Sequence, residues 1–447
     1  MVQRDGRNVT VEVTSDGEGL VSHAGSALLV QIADKSGLTQ ALSVRLACLK
    51  QRDGGHDPGR VVRDLAVMLA DGGDCLADLG AVRDQDALFG AVASDSTAFR
   101  VIDKIASTPG LLDELADAHA RAREHVWAQT DAPDRVTIDI DATLVTSHSE
   151  KEGAAGTYKG GYGFHPILAY CDETGEALAA ILRPGNAGSN TAADHIAVIE
   201  DALAQVPASL IETIEILVRT DSAGATHEVM EFCREHRLRF SAGFELTDQV
   251  RDAILKIPEI AWIAALAADG SERENGQIAE ITNDLDLSPW PTGSRVIVRR
   301  ERAHPGAQLS FSDHDGHRFQ AVLTDQVDSD IQILERRQRE RAHAETQIRN
   351  DKDTGLRNLP FRDFEHNRVW LALVGIAHDL LAWTRRLLLD GDVASCEPKR
   401  LRYRLLHVAA RLAFHARKAM LRIDASWRWA DALVSAFTRA RALPAPG

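Results

Sequence analysis

Three carboxylates lie where the sequence can place a divalent-metal site. Asp141 ends the strand-like run VTIDIDAT, Asp221 ends IEILVRTDSAG, and Glu345 lies in a charged, helix-like segment. Carboxylate oxygens are ligands for hard divalent cations, and two such cations can polarise a phosphodiester and activate the attacking oxygen. We therefore predict a two-metal phosphoryl-transfer site that contains Asp141, Asp221 and Glu345.

Each of these carboxylates also has a purely structural explanation. Asp139 shares the polar face of its alternating run with Asp141, so the first ligand could be either residue. Asp221 could cap the helix that follows it. Glu345 could pair with Arg341 one turn earlier on a helix. Alternatively, Arg341 and Lys352 bind phosphates beside a metal that Glu345 holds.

The predicted elements around these residues form an α/β protein. Residues 1–130 show apolar residues at helical spacing, which predicts a helical domain, and a helix-turn-helix-like segment makes it the candidate DNA-binding domain. Within it, SDSTAFRVIDKIAS places Arg100 on a capped helix, as in the second helix of a helix-turn-helix. From residue 131, three strands are followed by helix, strand, helix and strand. That order matches a ribonuclease-H-like mixed sheet flanked by helices.

The rest of the chain is predicted to complete and extend this core. The predicted parts are 131–245, the first part of the core; 246–325, a mainly β insertion; 326–390, the second part of the core with Glu345 on a long helix; and 391–447, a basic helical C-terminal region. We therefore expect a core with a β insertion, flanked by all-helical N- and C-terminal domains.

Composition restricts the cellular setting and the partners. The formal net charge is −15, but from Cys396 onward eleven basic residues oppose three acidic ones, so this end can bind a polyanion. The five cysteines form no Cys-x-x-Cys pair, and the first ten residues show no leader pattern. The longest apolar run, 369–378, is about half the length that spans a bilayer. We expect a cytoplasmic protein without a membrane partner.

The motifs together resemble the DDE transposases of bacterial insertion sequences. They are DIDAT, RTDSAG and the frame Arg341-x3-Glu345-x6-Lys352. Within that family the chain is similar to the branch with a Tyr-x2-Arg-x3-Glu-x6-Lys signature and a β insertion, and above all to the IS-thirteen-eighty group. SHAGSALLV, LADGGDCLADL, SDSTAFR and YKGGYGFHPILAY carry the resemblance over residues from about 20 to 390. The signature tyrosine would fall at position 338, where this chain has Gln338.

The resemblance implies a cut-and-paste transposase that cleaves DNA at terminal inverted repeats and joins it to target DNA. Asp141, Asp221 and Glu345 would bind two Mg2+, with Mn2+ able to substitute, and Arg341 and Lys352 would contact phosphates. Asp141 is favoured over Asp139 because an Asp-x-Thr sequence follows the strand in the family.

Further expectations follow from the same resemblance. Trp290, in SPWPTG, is the candidate to stack on a flipped base, with Trp262 as its alternative. The partner would be double-stranded DNA bound by a homodimer, with a hairpin intermediate. The setting would be the bacterial cytoplasm, in association with the nucleoid.

Three other functions fit parts of the sequence. A transposase-derived protein could bind DNA without cleaving it, and another ribonuclease-H-like nuclease could cleave without strand transfer. IDIDATLV also fits the Asp-x-Asp-x-Thr loop of haloacid-dehalogenase-like phosphatases, in which Asp139 would be the nucleophile.

Overall fold

The computed structural model describes most of the chain, in ranges separated by short gaps. Those ranges are 11–50, 52–130, 133–189, 191–302, 314–416 and 418–446, with backbone alone for 2–4 and 7–9. The prediction that the chain begins without a leader therefore falls partly outside the described residues. None of the described helices is long and apolar enough to cross a membrane.

The N-terminal part is mostly helical, as predicted, but it is not all-helical. Its strands are β1 (Val2–Arg4), β2 (Arg7–Val9) and β3 (Leu20–Val21). Its helices are α1 (Ala27–Lys35), α2 (Leu38–Arg45), α3 (Pro58–Asp71), α4 (Gly80–Arg83), α5 (Asp86–Phe89), α6 (Asp95–Ser107) and α7 (Leu111–Trp127). Side chains at helical spacing on α1, α3 and α6 pack into the main hydrophobic core.

The central part alternates strands and helices in the predicted order. Its strands are β4 (Arg135–Ala142), β5 (Val145–Thr146), β6 (Ala155–Gly156), β7 (Tyr162–Phe164), β8 (Ile167–Cys171), β9 (Glu176–Ile181), β10 (Glu215–Thr220) and β11 (Arg239–Phe244). Its helices are α8 (Ala192–Ala204), α9 (Ala208–Ile211), α10 (His227–Glu235) and α11 (Asp248–Leu255). The Gly-rich loop, residues 153–166, contains β6 and β7 and forms with β5 the small antiparallel sheet β5-β7-β6.

A mixed sheet is the centre of the fold. Within the described residues it runs β12-β13-β14-β15-β11-β10-β4-β8-β9. Strand β10 is parallel to both β4 and β11, whereas β8 is antiparallel to β4 and to β9. Strand β4 is buried on both faces, which is typical of a central strand covered by helices.

The predicted β insertion extends this same sheet. Its strands are β12 (Ile263–Leu266), β13 (Glu272–Glu280), β14 (Arg295–Arg302) and β15 (His317–Thr324). Strand β15 pairs antiparallel with β11 of the core. Backbone hydrogen bonds therefore join the insertion rigidly to the strand beside β10.

The long charged helix predicted around Glu345 is broken into α12 (Ile331–Arg339) and α13 (Ala342–Asp351). The carbonyl of Arg337 accepts a hydrogen bond from the buried Arg219 guanidinium. The Arg341 amide, which would bind that carbonyl in a continuous helix, donates instead to Gln338 O at 3.2 Å. A tertiary hydrogen bond therefore replaces one helical bond, and the chain passes from α12 to α13 through a tighter turn although Glu340 and Arg341 keep right-handed helical dihedral angles.

The C-terminal part corrects a second expectation. Its elements are a π-helical turn (Lys352–Leu356), α14 (Phe364–Leu388), α15 (Gly391–Ala394), α16 (Pro398–Leu401), a second π turn (Arg402–Leu406), β16 (Ala410–His415), β17 (Lys418–Ile423) and α17 (Ala430–Ala442). The predicted all-helical C-terminal region is thus wrong, because β16 and β17 form a hairpin. Strand β16 pairs with β17 along its whole length and at Ala410 and Arg411 also with β3, and this pairing overrides helix propensity.

Candidate active site

Asp141 and Asp221 come together at one edge of the sheet. Strands β4 and β10 are parallel neighbours in which Asp139 is paired with Arg219, so Asp141 and Asp221 follow at equivalent positions two residues later. In agreement, the charge of Asp221 contributes to raising the pKa of Asp141, although burial is the larger cause. Gly243 on β11 leaves room for the turn after Asp221, because a Cβ there would lie 2.8 Å from Ser222 N.

Asp139 is not part of this site, because its carboxylate forms a buried ion pair with Arg219. Its carboxylate oxygens accept hydrogen bonds from Arg219 Nε at 2.6 Å and Nη2 at 2.7 Å. Burial raises the pKa of Asp139 to about 6, and the Arg219 guanidinium opposes that rise, so the pair is ionic at pH 7. Asp139 is 1% exposed and held by Arg219, so it does not occupy the position of a nucleophile that the phosphatase alternative requires.

Glu345 faces the same edge from the first turn of α13. Its carboxylate is exposed and lies 4.0 Å from Arg341 Nη2, while Arg341 Nη1 donates to Asp141 Oδ2 at 3.2 Å. The guanidinium of Arg341 therefore stands between two of the three predicted ligands. Asp221 Oδ1 accepts from Ala223 N at 3.0 Å and orders the turn after β10, but the structural role considered for Asp221 is wrong, because Thr226 caps the following helix α10.

An open pocket of about 600 Å³ lies in front of these residues. Asp221, Arg341 and Glu345 line it, whereas Asp141 lies behind Arg341 and does not. Gln338, at the position of the signature tyrosine, also lines the pocket and donates through Nε2 to Thr220 O at 2.9 Å. Position 338 thus supports the backbone that immediately precedes Asp221.

The donor set fits hard divalent cations, but the three carboxylates are not gathered around one point. Among the described residues, two groups of three possible ligand atoms lie within 4.8 Å of one another, and neither includes Asp141, Asp221 or Glu345. All three residues nevertheless offer carboxylate oxygens, the ligands that Mg2+ takes in proteins. The mutual repulsion of Asp141 and Asp221 would also be relieved by a cation.

The first of those two groups, His23, Asp71 and His407, has the wrong ring geometry for one ion. The two imidazole rings stack with centroids 4.0 Å apart and planes 19° apart, so a single ion cannot lie in both ring planes. Instead, His23 Nδ1 lies 2.5 Å and His407 Nε2 3.1 Å from the Asp71 carboxylate. Hydrogen bonds in this group connect Asp71, at the end of α3, to His23 from the N-terminal part and to His407 from the C-terminal part.

The family model described as "Transposase DDE domain group 1" matches residues 3–445. The chain belongs to this transposase family. A cryo-EM structure of the piggyBac transposase synaptic complex with hairpin DNA is 11% identical, with 85% of this chain and 80% of that chain covered and a TM-score of 0.42. No curated protein matches the chain.

The predicted DNA contacts of this transposase lie in different places. Lys352 caps the end of α13, and burial lowers the pKa of its amine, with further lowering by the charges of Arg357 and Lys159. Lys352 thus belongs to a cationic group beside the Gly-rich loop. Arg100 is exposed on α6, where it hydrogen-bonds back to Ser96 O at 3.1 Å, outside the pocket.

The two candidate tryptophans are both engaged within the protein. The Trp290 ring lies 4.1 Å from the His227 ring and 5.5 Å from that of Phe244, which lines the pocket. Trp262 is 8% exposed, and the Arg300 guanidinium lies 4.3 Å from its ring centroid. Trp290 is therefore close to the pocket wall but does not itself line the pocket.

Sequence reasoning missed the residues that hold the site together. Arg219 also binds Asp172 at 2.8 Å, and Asp172 binds His343 on α13 at 2.8 Å, which raises the pKa of His343. This chain of charges links β10 to the helix that carries Glu345. The available signal was Arg219 itself, because a charged residue inside a buried strand requires a buried partner.

Proposed function

We propose that this chain is an active DNA transposase that cleaves at terminal inverted repeats and transfers the freed strand to target DNA. The observation that carries the proposal is the common edge of β4 and β10, where Asp141 and Asp221 follow equivalent positions and α13 presents Glu345. Membership of the transposase family supports DNA as the substrate. The branch with the tyrosine signature, the IS-thirteen-eighty group and the bacterial cytoplasm, near the nucleoid, belong to the same proposal.

The strand arrangement supports a ribonuclease-H-like core. The order β9-β8-β4-β10-β11, with β8 antiparallel to both of its neighbours and β4, β10 and β11 parallel, is the arrangement expected of that fold. In open α/β sheets, ligands bind beyond the carboxyl ends of parallel strands. The proposed site lies at that edge.

Asp141, Asp221 and Glu345 would hold two Mg2+, or Mn2+ in its place. Bound there, the cations would polarise the scissile phosphodiester and lower the pKa of the attacking water. Arg341 is positioned to take a phosphate oxygen once it leaves Asp141, and Lys352 and Trp290 would contact the DNA farther along. A homodimer would hold the two ends, and Arg100 on α6 would contact the repeats.

The test is a cleavage assay on labelled duplex that carries the terminal repeats flanking the gene, with Mg2+. Wild type is expected to cut at the repeat boundary, and Asp221→Asn to bind but not cut. Asparagine keeps the oxygen that accepts from Ala223 N, so the turn should survive. Glu231→Gln, at an exposed position on α10 outside the pocket, is the control and should cut normally.

Three results would contradict the proposal in different ways. Binding without cleavage by wild type would favour the DNA-binding derivative without catalysis. Cleavage by Asp221→Asn at the wild-type rate would show that the chemistry lies elsewhere. Cleavage without joining to a second duplex would favour the nuclease alternative.

A further inference from the structure

The hairpin of β16 and β17 has one face that is cationic. Side chains alternate along a strand, and the register pairs Arg411 with Arg422 and His415 with Lys418. All four side chains are exposed. Among the described residues, Arg411, Lys418 and Arg422 have no carboxylate within ion-pair distance.

These charges do not stabilise the hairpin. Arg411 and Arg422 are directly opposite each other on neighbouring strands, where like charges repel and cost stability. Asp424 is the only acidic residue from 398 to 430, and its carboxylate is engaged by Ser426 N and Oγ at 2.8 Å. The face therefore carries concentrated positive charge on a chain whose formal net charge is −15.

The opposite face is apolar and is covered only near the base of the hairpin. Leu412 is buried against Val21 and Ala24 in a small cluster of its own. Phe414, two residues farther toward the tip, is 69% exposed. The hairpin thus projects from the protein with a bare aromatic ring near its end.

The base of the hairpin adds further cations and aromatic rings. The guanidinium groups of Arg404 and Arg428 lie 4.9 and 5.4 Å from the ring centroid of Trp429. Tyr403 is 62% exposed and packs edge-on against the same ring. The cationic surface therefore continues beyond the strands themselves.

We propose that the β16–β17 hairpin binds duplex DNA by lying along a groove, with Arg411, Lys418 and Arg422 of its cationic face on the phosphates. The major groove of B-DNA is wide enough for a two-stranded β-ribbon, and exposed arginines and lysines supply the phosphate contacts. The choice of DNA over other polyanions rests on the proposed function, whereas the binding surface rests on the hairpin alone. This surface is separate from the pocket that contains Asp221 and Glu345.

The test measures the affinity of the full chain for a fluorescent random-sequence duplex by anisotropy over a range of salt concentrations. The variant Arg411→Gln/Lys418→Gln/Arg422→Gln should lower the slope of log affinity against log salt by about 2.7, since each phosphate contact contributes about 0.9. Its melting temperature should equal or exceed that of wild type, because a repulsive pair is removed. The separate variant Phe414→Ser, on the opposite face of the hairpin, should leave both the affinity and the slope unchanged.

A matched control removes the same charge elsewhere. Arg234→Gln/Arg237→Gln/Lys256→Gln changes three exposed cations outside the hairpin, and its salt slope should equal that of wild type. An unchanged slope in the hairpin variant, with wild type binding normally, would overturn this inference and leave the proposed function intact. Loss of binding to anionic phosphatidylserine vesicles, with DNA binding unchanged, would also overturn it. Failure of wild type to bind any duplex would refute the proposed function as well.

Discussion

Replacing each of the two neighbouring aspartates with asparagine should have opposite consequences. Asp139→Asn leaves the Arg219 charge, which is 1% exposed, without its two-oxygen partner. Removing one partner of a buried ion pair costs about 3–5 kcal/mol. Asp172 still contacts Arg219 at 2.8 Å, so we expect a loss near the lower end, about 3 kcal/mol. DNA cleavage should fall only at temperatures or urea concentrations at which the destabilised variant unfolds.

Asp141→Asn should leave the free energy of unfolding almost unchanged. Its carboxylate has one side-chain partner, Arg341 at 3.2 Å, and the amide oxygen of asparagine can still accept that bond. The expected loss is about 1 kcal/mol or less. Cleavage should nevertheless be abolished while binding to DNA persists.

The assay is urea unfolding followed by circular dichroism, with cleavage measured on the same preparations. Asp139→Asn should lower the unfolding midpoint and Asp141→Asn should not. As a control, Asp139→Leu/Arg219→Met removes both buried charges and should cost less than the sum of its single variants. A folded Asp139→Asn protein with wild-type stability and no cleavage would refute this reasoning and make Asp139 the ligand.

Two further predictions concern the contacts between the ends of the chain. Hydrogen bonding to Asp71 raises the pKa of His407, and the pKa of Asp71 is lowered because its hydrogen bonds to His23 and His407 outweigh burial. The contribution of His407 to the free energy of unfolding is therefore complete below about pH 6.5 and is lost at higher pH. The contribution of Asp71 is lost as the pH falls below about 4. The melting temperature of wild type should drop between pH 6 and 9 more than that of His407→Gln, and equal drops would contradict this account. Gly25→Ala should lower the melting temperature strongly, because a Cβ there would lie 1.9 Å from the backbone oxygen of Leu405, whereas Gly54→Ala, with open space around it, should melt like wild type.

The parts of the fold that depend on local pattern could be predicted from the sequence. Alternating apolar residues predicted β4, and an apolar run of helical length predicted α14. The hairpin at 410–423 was predicted to be helical, although β16 and β17 pair locally over their whole length; only Ala410 and Arg411 also pair with Val21 and Leu20. Those partners lie almost four hundred residues earlier, where the sequence shows only a short, unremarkable run.

Only part of the candidate site could likewise be predicted from the local sequence pattern. Asp141 and Asp221 could be placed at one edge because each follows an apolar run, and parallel neighbouring strands end together. The break before Glu345 could not be foreseen, since it depends on Arg219 donating to the Arg337 carbonyl. The ion pair that buries Asp139 also involves Arg219. The contacts of this one side chain therefore explain both features of the site that the sequence did not reveal.

The position of Glu345 depends on contacts that cross the predicted boundary between the N-terminal helices and the core. Asp351, at the end of the Glu345 helix, accepts from Tyr170 on β8 at 2.5 Å and contacts His378 on α14 at the same distance. The next residue of α14, Asp379, binds Arg123 on α7 at 2.5 Å, and both side chains are fully buried. Taking α7 away would leave the Asp379 charge without that partner, at a cost of about 3–5 kcal/mol. The N-terminal helices therefore help to hold the Glu345 helix and the central sheet in place, and the two parts should not fold independently.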